Sequence, residues 1–267
     1  MKSKNHPLLG LHSLLMMIFI YLPIVFIVIY SFNDSRINAK WSGFTWKWYS
    51  SLFTDRHVME ALMNSLTIAV VSTVVSTILG TVAALSMRTT GSKMRAGMNG
   101  LLYLPIIIPD IIMGLSLLVL FTQIHIPLGK ITVMIAHITF SLSYVYVIVT
   151  ARLTGMGKQL EEAAQDLGAS SWQTFRYVTL PQITPGIIAG ALIAFTLSLD
   201  DFMVSFFVTG PSSTTLPIYI YGQVKRGISP EINALCTILI AVSVILILLA
   251  QMFLNKGQGQ KKTTLPL

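Results

Sequence analysis

The sequence predicts an all-α integral membrane protein with six transmembrane helices, and three observations carry that prediction. Of its 267 residues 54% are hydrophobic and only 10% charged, with a mean hydropathy of +0.73, which leaves too little polar surface to clothe a soluble domain. Six apolar runs each reach the roughly 20 residues that cross about 30 Å of hydrocarbon. Between the fourth and fifth runs stands a polar, helix-forming stretch, Glu162 to Pro181, which a bilayer would not accommodate.

Lys2 and Lys4 precede the first run, about Leu14 to Tyr30. It is longer than a signal-peptide core and lacks a small-residue cleavage site, so an uncleaved span is expected. Asp34 to Met63 is a polar loop carrying Trp41, Trp46, Trp48 and Tyr49, residue types that favour a membrane boundary, and it is expected to lie along the outer surface. Further spans are expected at about Leu66–Met87, Leu101–Phe121, Ile131–Ala151, Ile183–Val208 and Asn233–Leu254. Pro105 and Pro109 remove backbone donors from the third and should bend or break it. The Gln/Lys/Gly-rich end after Asn255 reads as a frayed tail.

The basic residues orient these spans. With the N-terminus inside, inner segments hold Lys2, Lys4, Arg88, Lys93, Arg95, Arg152, Lys158, Arg176, Lys256, Lys261 and Lys262, which is 11 of the 18 basic residues, against the acids Glu161, Glu162 and Asp166. Both termini are therefore expected in the cytoplasm. The formal charge of +8 follows from this topology; without interleaved aromatics it does not indicate nucleic acid. Cys236 is the only cysteine, which excludes a disulfide framework and a cysteine-based metal site, and no metal site is expected.

At the start of this stretch, Leu160, just before it, and Ala163, Ala164 and Leu167 make one apolar helix face, while Glu161, Glu162, Gln165 and Asp166 take the other. Gly168 interrupts that helix in an expected positive-φ turn. Ser170 or Ser171 can cap a second one bearing Trp172, Phe175, Tyr177 and Val178, which the chain should leave at Pro181.

Three acids stand inside apolar runs. Asp110 falls near the middle of the third, where a carboxylate costs on the order of 3 kcal/mol unless it faces a partner or a water-filled path. It could also cap the helix resumed after Pro109. Asp200 and Asp201 are adjacent, so with about 100° between successive helix positions at most one points straight into a central path, while the other pairs or caps. Phe202, Phe206 and Phe207 follow them and suit the methylenes and ammonium groups of a polycation, although aromatic stripes in spans are more often packing.

Glu162, Ala163, Ala164, Gly168, Leu180 and Pro181, with Val178 where isoleucine is usual, resemble the EAA loop of ABC importer permeases. The resemblance implies the type I importer permease fold and a coupling helix seated in a groove of a separate ATPase subunit. It also implies a permease domain over 60–252, preceded by an N-terminal span and outer loop over 1–59 and followed by a tail over 253–267. Nearly the whole chain is similar to the PotC-type permeases of spermidine/putrescine importers. The matching stretches are Tyr30-Ser31-Phe32-Asn33, Pro109-Asp110-Ile111, Glu162 to Gly168, Leu197-Ser198-Leu199-Asp200-Asp201, Phe207-Val208-Thr209-Gly210-Pro211 and Ser229-Pro230-Glu231-Ile232-Asn233-Ala234. This implies polyamine import across a bacterial inner membrane, with Asp110, Asp200, Asp201 and Phe206 along the substrate path. The implied partners are a second, PotB-type permease, a dimer of PotA-type ATPase subunits that use ATP and Mg, and a PotD-type solute-binding protein.

No GxxxxGK[ST] phosphate loop occurs, so this chain is expected to bind no nucleotide and to be no enzyme. Two other classes compete with the importer reading. Gly114-Leu115-Ser116 with His137 would suit an intramembrane serine protease, but a small packing motif and a buried histidine explain them more simply. The intramembrane acids would also suit an ion-driven secondary transporter, although such folds tend to carry paired broken helices and only one break is evident in the sequence. A permease for another small solute is the remaining alternative.

Overall fold

A computed structural model describes residues 7–35 and 40–256. Lys2, Lys4 and residues 257–267 of the expected tail lie outside the described residues. In order the helices are α1 (Pro7–Tyr30), α2 (Lys47–Leu52), α3 (Arg56–Thr89), α4 (Ser92–Ile107), α5 (Asp110–Gln123), α6 (Lys130–Gly155), α7 (Gln159–Asp166), α8 (Ser171–Thr174), a π-helical turn (Phe175–Thr179), α9 (Leu180–Asp200), α10 (Met203–Val208), α11 (Leu216–Arg226) and α12 (Pro230–Lys256). The chain divides into two compact units, one drawn from Met1–Met59 with Ile220–Ala241 and the other from Glu60–Tyr219 with Val242–Leu267.

In the first unit the Ser31–Asn33 stretch organises the loop after α1. Asn33 is buried and works in two directions: its amide donates to the Lys40 carbonyl at 2.9 Å, and its Oδ1 accepts from the Ser42 amide at 2.9 Å. Trp48 donates Nε1–H to the Asn33 carbonyl at 2.7 Å, and Ser31 and Tyr49 share a hydroxyl bond at 2.7 Å. Phe32 stacks on Phe44 and meets Trp46 and Tyr49, so the aromatic residues form a cluster around a satisfied polar hub. In the same unit Ser51 donates to Glu231 in the first turn of α12.

The second unit is built on α6. Its buried residues Val145, Tyr146, Val149 and Leu153 pack with Ala84 and Met87 of α3 and with Ile183 and Ala194 of α9. Val133, Ala136 and Phe140, further toward its start, pack with Ile68, with Met113 and Phe121 of α5, and with Val204 and Val208 of α10.

Among the described residues five helices are long and apolar enough to cross a membrane, and there are six crossings if the bent pair α4 and α5 counts as one. The third apolar run is therefore not a straight span. Its halves meet at 106° where Ile108 and Pro109 leave helical geometry (ψ 130° and 136°). Proline excludes the preceding residue from the α region and donates no amide, which explains the place of the break.

The fifth run departs further from expectation, because it breaks as well. α9 stops at Asp200, Asp201 turns extended (ψ 124°), and α10 begins at Met203. Two breaks exist where one was expected. Pro181, in contrast, does not end a helix, since Ser171–Asp200 runs on as one span through the π-helical turn. In that turn the Leu180 amide bonds to the Phe175 carbonyl, five residues back, which opens the turn where the ring of Pro181 would otherwise crowd the backbone.

Candidate functional site

The two breaks converge through Gly114. A Cβ on this buried glycine would lie 2.8 Å from the Phe207 ring and 3.2 Å from the Val204 Cα, so a side chain here would require Phe207 to move and α10 to give way. Asp110 stands four residues before Gly114, and Asp201 three before Val204. At about 1.5 Å per residue both acids lie within roughly one helical turn of that contact.

The three intramembrane acids have different surroundings. Asp201 is nearly enclosed, with 10% side-chain exposure, and its carboxylate accepts from the Ser205 amide at 2.7 Å and the Val204 amide at 3.3 Å. It thus caps α10. Its Oδ2 also lies 3.2 Å from Nε2 of the fully buried His137. Asp200 is exposed on the chain, and both its oxygens accept from the Ser243 hydroxyl of α12, at 3.0 and 2.8 Å. Asp110 is exposed at the first position of α5, where the N-terminal end of the helix dipole favours negative charge. Pro109 occupies the cap position and no side chain bonds there, so Asp110 does not cap by hydrogen bonding as it could have done. Phe206 is half exposed (50%), with Phe202 and Phe207 against its ring.

His137 holds this region together. Nδ1 meets the Ser198 hydroxyl of α9 at 2.6 Å, and Nε2 meets Ser205 of α10 at 2.9 Å as well as Asp201. Each ring nitrogen therefore has hydrogen-bonding partners within reach, Ser198 at Nδ1 and both Asp201 and Ser205 at Nε2. Both ring nitrogens are spent on α9, α10 and their junction, while Ser116 is an exposed residue of α5. With Gly114 a packing glycine, the serine-protease arrangement does not exist.

The elbow is the second site. α7 closes in a Schellman motif: Gly168 has φ +87°, its amide bonds to the Gln165 carbonyl at 2.9 Å, and the Ala169 amide reaches the Ala164 carbonyl at 3.0 Å. Ser170 then starts α8 with a capping box, accepting from the Gln173 amide while the Gln173 side chain accepts from the Ser170 amide. Of the expected apolar face, Leu160 and Ala163 are exposed, Leu167 is 89% exposed, and Ala164 is half-buried; Trp172 and Tyr177 are also exposed. Glu162 and Pro181 are exposed, and Leu180 is half-buried against the α6 core.

Glu161 departs from the polar face assigned to it. One of its oxygens accepts from Arg88 Nη1 at 2.8 Å and from the Thr179 hydroxyl at 2.6 Å, tying α7 to the end of α3 and to the π-helical turn. Burial alone would raise its pKa, but these two hydrogen bonds and the charges of Arg88 and Lys158 outweigh burial and hold the carboxyl below its ordinary value. No spacing rule pairs Glu161 with a residue 73 positions away; the only signal was an arginine placed at the end of an apolar run.

The fold is thus one of broken apolar helices bearing acids, with a polar elbow between α6 and α9. By structure the chain is similar to a bacterial ABC transporter that imports alginate (TM-score 0.70, 19% identity, 94% of each chain covered) and to the methionine transporter MetNI (TM-score 0.59, 17% identity, 76% of this chain and 96% of the other). Residues 76–261 match the family of binding-protein-dependent transport system inner membrane components, and the chain belongs to that family. Its relatives include the spermidine/putrescine permease PotC of Escherichia coli (strain K12), 42% identical with 88% of this chain and 89% of PotC covered. The putrescine permease PotI of the same organism is 40% identical over 91% and 89%. The putative 2-aminoethylphosphonate permease PhnV of Salmonella paratyphi A is 29% identical over 93% and 94%. This is a transport subunit, not an enzyme.

Proposed function

We propose that this chain is one of two permease subunits of an ABC importer that carries spermidine or putrescine across the bacterial inner membrane. The observation that carries this reading is sequence identity of 40–42% along about nine-tenths of the chain to permeases named for these polyamines, against 29% for a permease named for a phosphonate. The intramembrane charges agree with the cargo. A polyamine leaves water only where fixed negative charge replaces part of its hydration, and Asp110 and Asp200 are exposed carboxylates suited to that purpose.

In this reading the exposed face of Leu160, Ala163 and Leu167 seats in a groove of a PotA-type ATPase subunit, which uses ATP and Mg in the cytoplasm beside both termini of this chain. A PotB-type permease completes the path, and a PotD-type binding protein delivers the polyamine from outside. Closure of the two ATPases draws the elbows together. Glu161 and Arg88 pass that movement to α3, and the π-helical turn passes it directly into α9, which ends at Asp200.

The test is uptake of radiolabelled spermidine and putrescine into proteoliposomes holding the complete complex and binding protein, with ATP on the ATPase side. Vanadate-sensitive uptake, competed by unlabelled polyamine and not by 2-aminoethylphosphonate, is expected. Uptake driven by an ion gradient without ATP would overturn the reading in favour of a secondary transporter, and competition by the phosphonate alone would overturn the substrate class.

A further inference from the structure

Where α3, α4 and α6 meet below the core, the structure holds a cavity of about 460 Å³, within the range of about 300–1,000 Å³ usual for ligand sites. It lies far from the acids of α5, α9 and α10 along α6, at the end of the unit that carries the elbow. Arg88, Arg95 and Lys158 line it, together with Asn99 and Tyr146, and no acid among the described residues does. Glu161, the carboxylate that meets Arg88, is also bonded to Thr179.

Two of the three cations are held in place, and Lys158 is exposed beside them. Arg88 is held by Glu161, with 21% of its side chain exposed. Arg95 spends Nε and Nη2 on the carbonyls of Thr90 and Arg88, which fixes its guanidinium plane and leaves Nη1. Tyr146 donates its hydroxyl to the Asn99 side-chain oxygen, which leaves the Asn99 amide as a donor. Converging cations repel in a partly desolvated cavity, and an anion relieves that repulsion while accepting their hydrogen bonds. Met87 supplies an apolar wall beside them. Arg88 stands in the last turn of a helix long and apolar enough to cross a membrane, so the cavity lies at one end of a crossing, where anionic headgroups are within reach of basic residues.

We propose that this pocket binds a phosphate-bearing anion, either the phosphodiester headgroup of an anionic membrane lipid or free phosphate, and that it does so independently of the polyamine path. Bound there, the anion joins α3, α4 and the segment leading into α7, and it steadies the base on which the elbow stands.

The experiment uses the complete purified complex, stripped of lipid, and titrates it with dioctanoyl-phosphatidylglycerol, dioctanoyl-phosphatidylcholine and inorganic phosphate, reading heat of binding and the shift in melting temperature. Saturable binding of the phosphatidylglycerol or of phosphate is expected. Arg95→Gln with Lys158→Gln should weaken it at least about tenfold, and Arg95→Lys with Lys158→Arg should retain most of it. Binding of the glycerol lipid without binding of phosphate assigns the site to a headgroup; tight binding of phosphate alone assigns it to the free anion. Should the double glutamine variant not assemble, Lys158→Gln alone, an exposed residue just before α7, must still weaken binding about threefold. The proposal is overturned if neither anion binds saturably, if phosphatidylcholine binds as tightly as phosphatidylglycerol, or if the glutamine variants bind like the parent.

Discussion

Asp200 and Asp201 are neighbours in the chain with different duties. Asp201 is enclosed, caps α10 and faces His137, whereas Asp200 is exposed and steadied by Ser243. Asp201→Ala removes the cap, worth about 1 kcal/mol, and a partner of a buried histidine, worth about 1–3 kcal/mol more. The purified complex should melt at a lower temperature and lose transport. Asp201→Asn should melt between the two, because asparagine also caps; an alanine variant as stable as the parent would contradict the capping role. Glu161 supplies a pH-dependent counterpart. Its folded pKa lies below the ordinary 4.5, so the Arg88 tie contributes fully above that value and is lost as pH falls through the lowered one. Hydrogen exchange over 159–179 should therefore be slow and flat from pH 8 to 5 after correction for intrinsic rates. Glu161→Gln should exchange faster throughout, by the equivalent of about 1 kcal/mol, a modest figure because a fifth of each partner stays exposed. Equal protection in the variant at pH 7 would show that the tie does not hold the elbow. The adjacency of the two aspartates was legible as a division of labour, but which residue took which duty depended on a helix break and on His137, 64 positions away.

At the scale of elements, turn chemistry was more legible than helix breaks. Gly168 followed from its place between two short helical patterns, and the structure gives it the expected positive φ. Gly168→Val should therefore cost about 1–2 kcal/mol in backbone strain, lowering uptake and co-purification of the ATPase while membrane insertion persists. Normal transport with the ATPase still bound would refute a coupling role for the turn. The break at Pro109 was also legible, since proline has no amide to give. The break at Asp201 was hidden, because apolar residues continue across it and an aspartate that caps resembles in sequence one that faces a channel. The close approach at Gly114 could not be read either, as nothing local to Gly114-Leu115-Ser116 distinguishes packing from a nucleophile motif. Gly114→Leu should separate α5 from α10 at a cost of about 1–3 kcal/mol or more and abolish transport, whereas Ser116→Ala on the exposed face should leave uptake near normal.

For the whole molecule, composition and run length were enough to read a membrane bundle, and the elbow pattern was enough to read the permease family. What the sequence did not reveal is that the fifth apolar run is broken as well as the third, and that the second halves of the two, α5 and α10, pack on each other through Gly114, which brings Asp110 and the Asp200–Asp201 pair toward one level. In the proposed function that arrangement serves as the cation path, built from helices that hydropathy alone would draw as straight rods. The most direct test of the account neutralises the two exposed acids together. In Asp110→Asn with Asp200→Asn, shape and hydrogen-bonding capacity are nearly kept while both charges are lost. Radiolabelled spermidine uptake, at matched levels of assembled complex, should fall at least about tenfold, the equivalent of about 1.4 kcal/mol, while basal ATP hydrolysis stays near the parent's. Full uptake in that variant would show that these carboxylates serve the fold, and that the polyamine crosses without them.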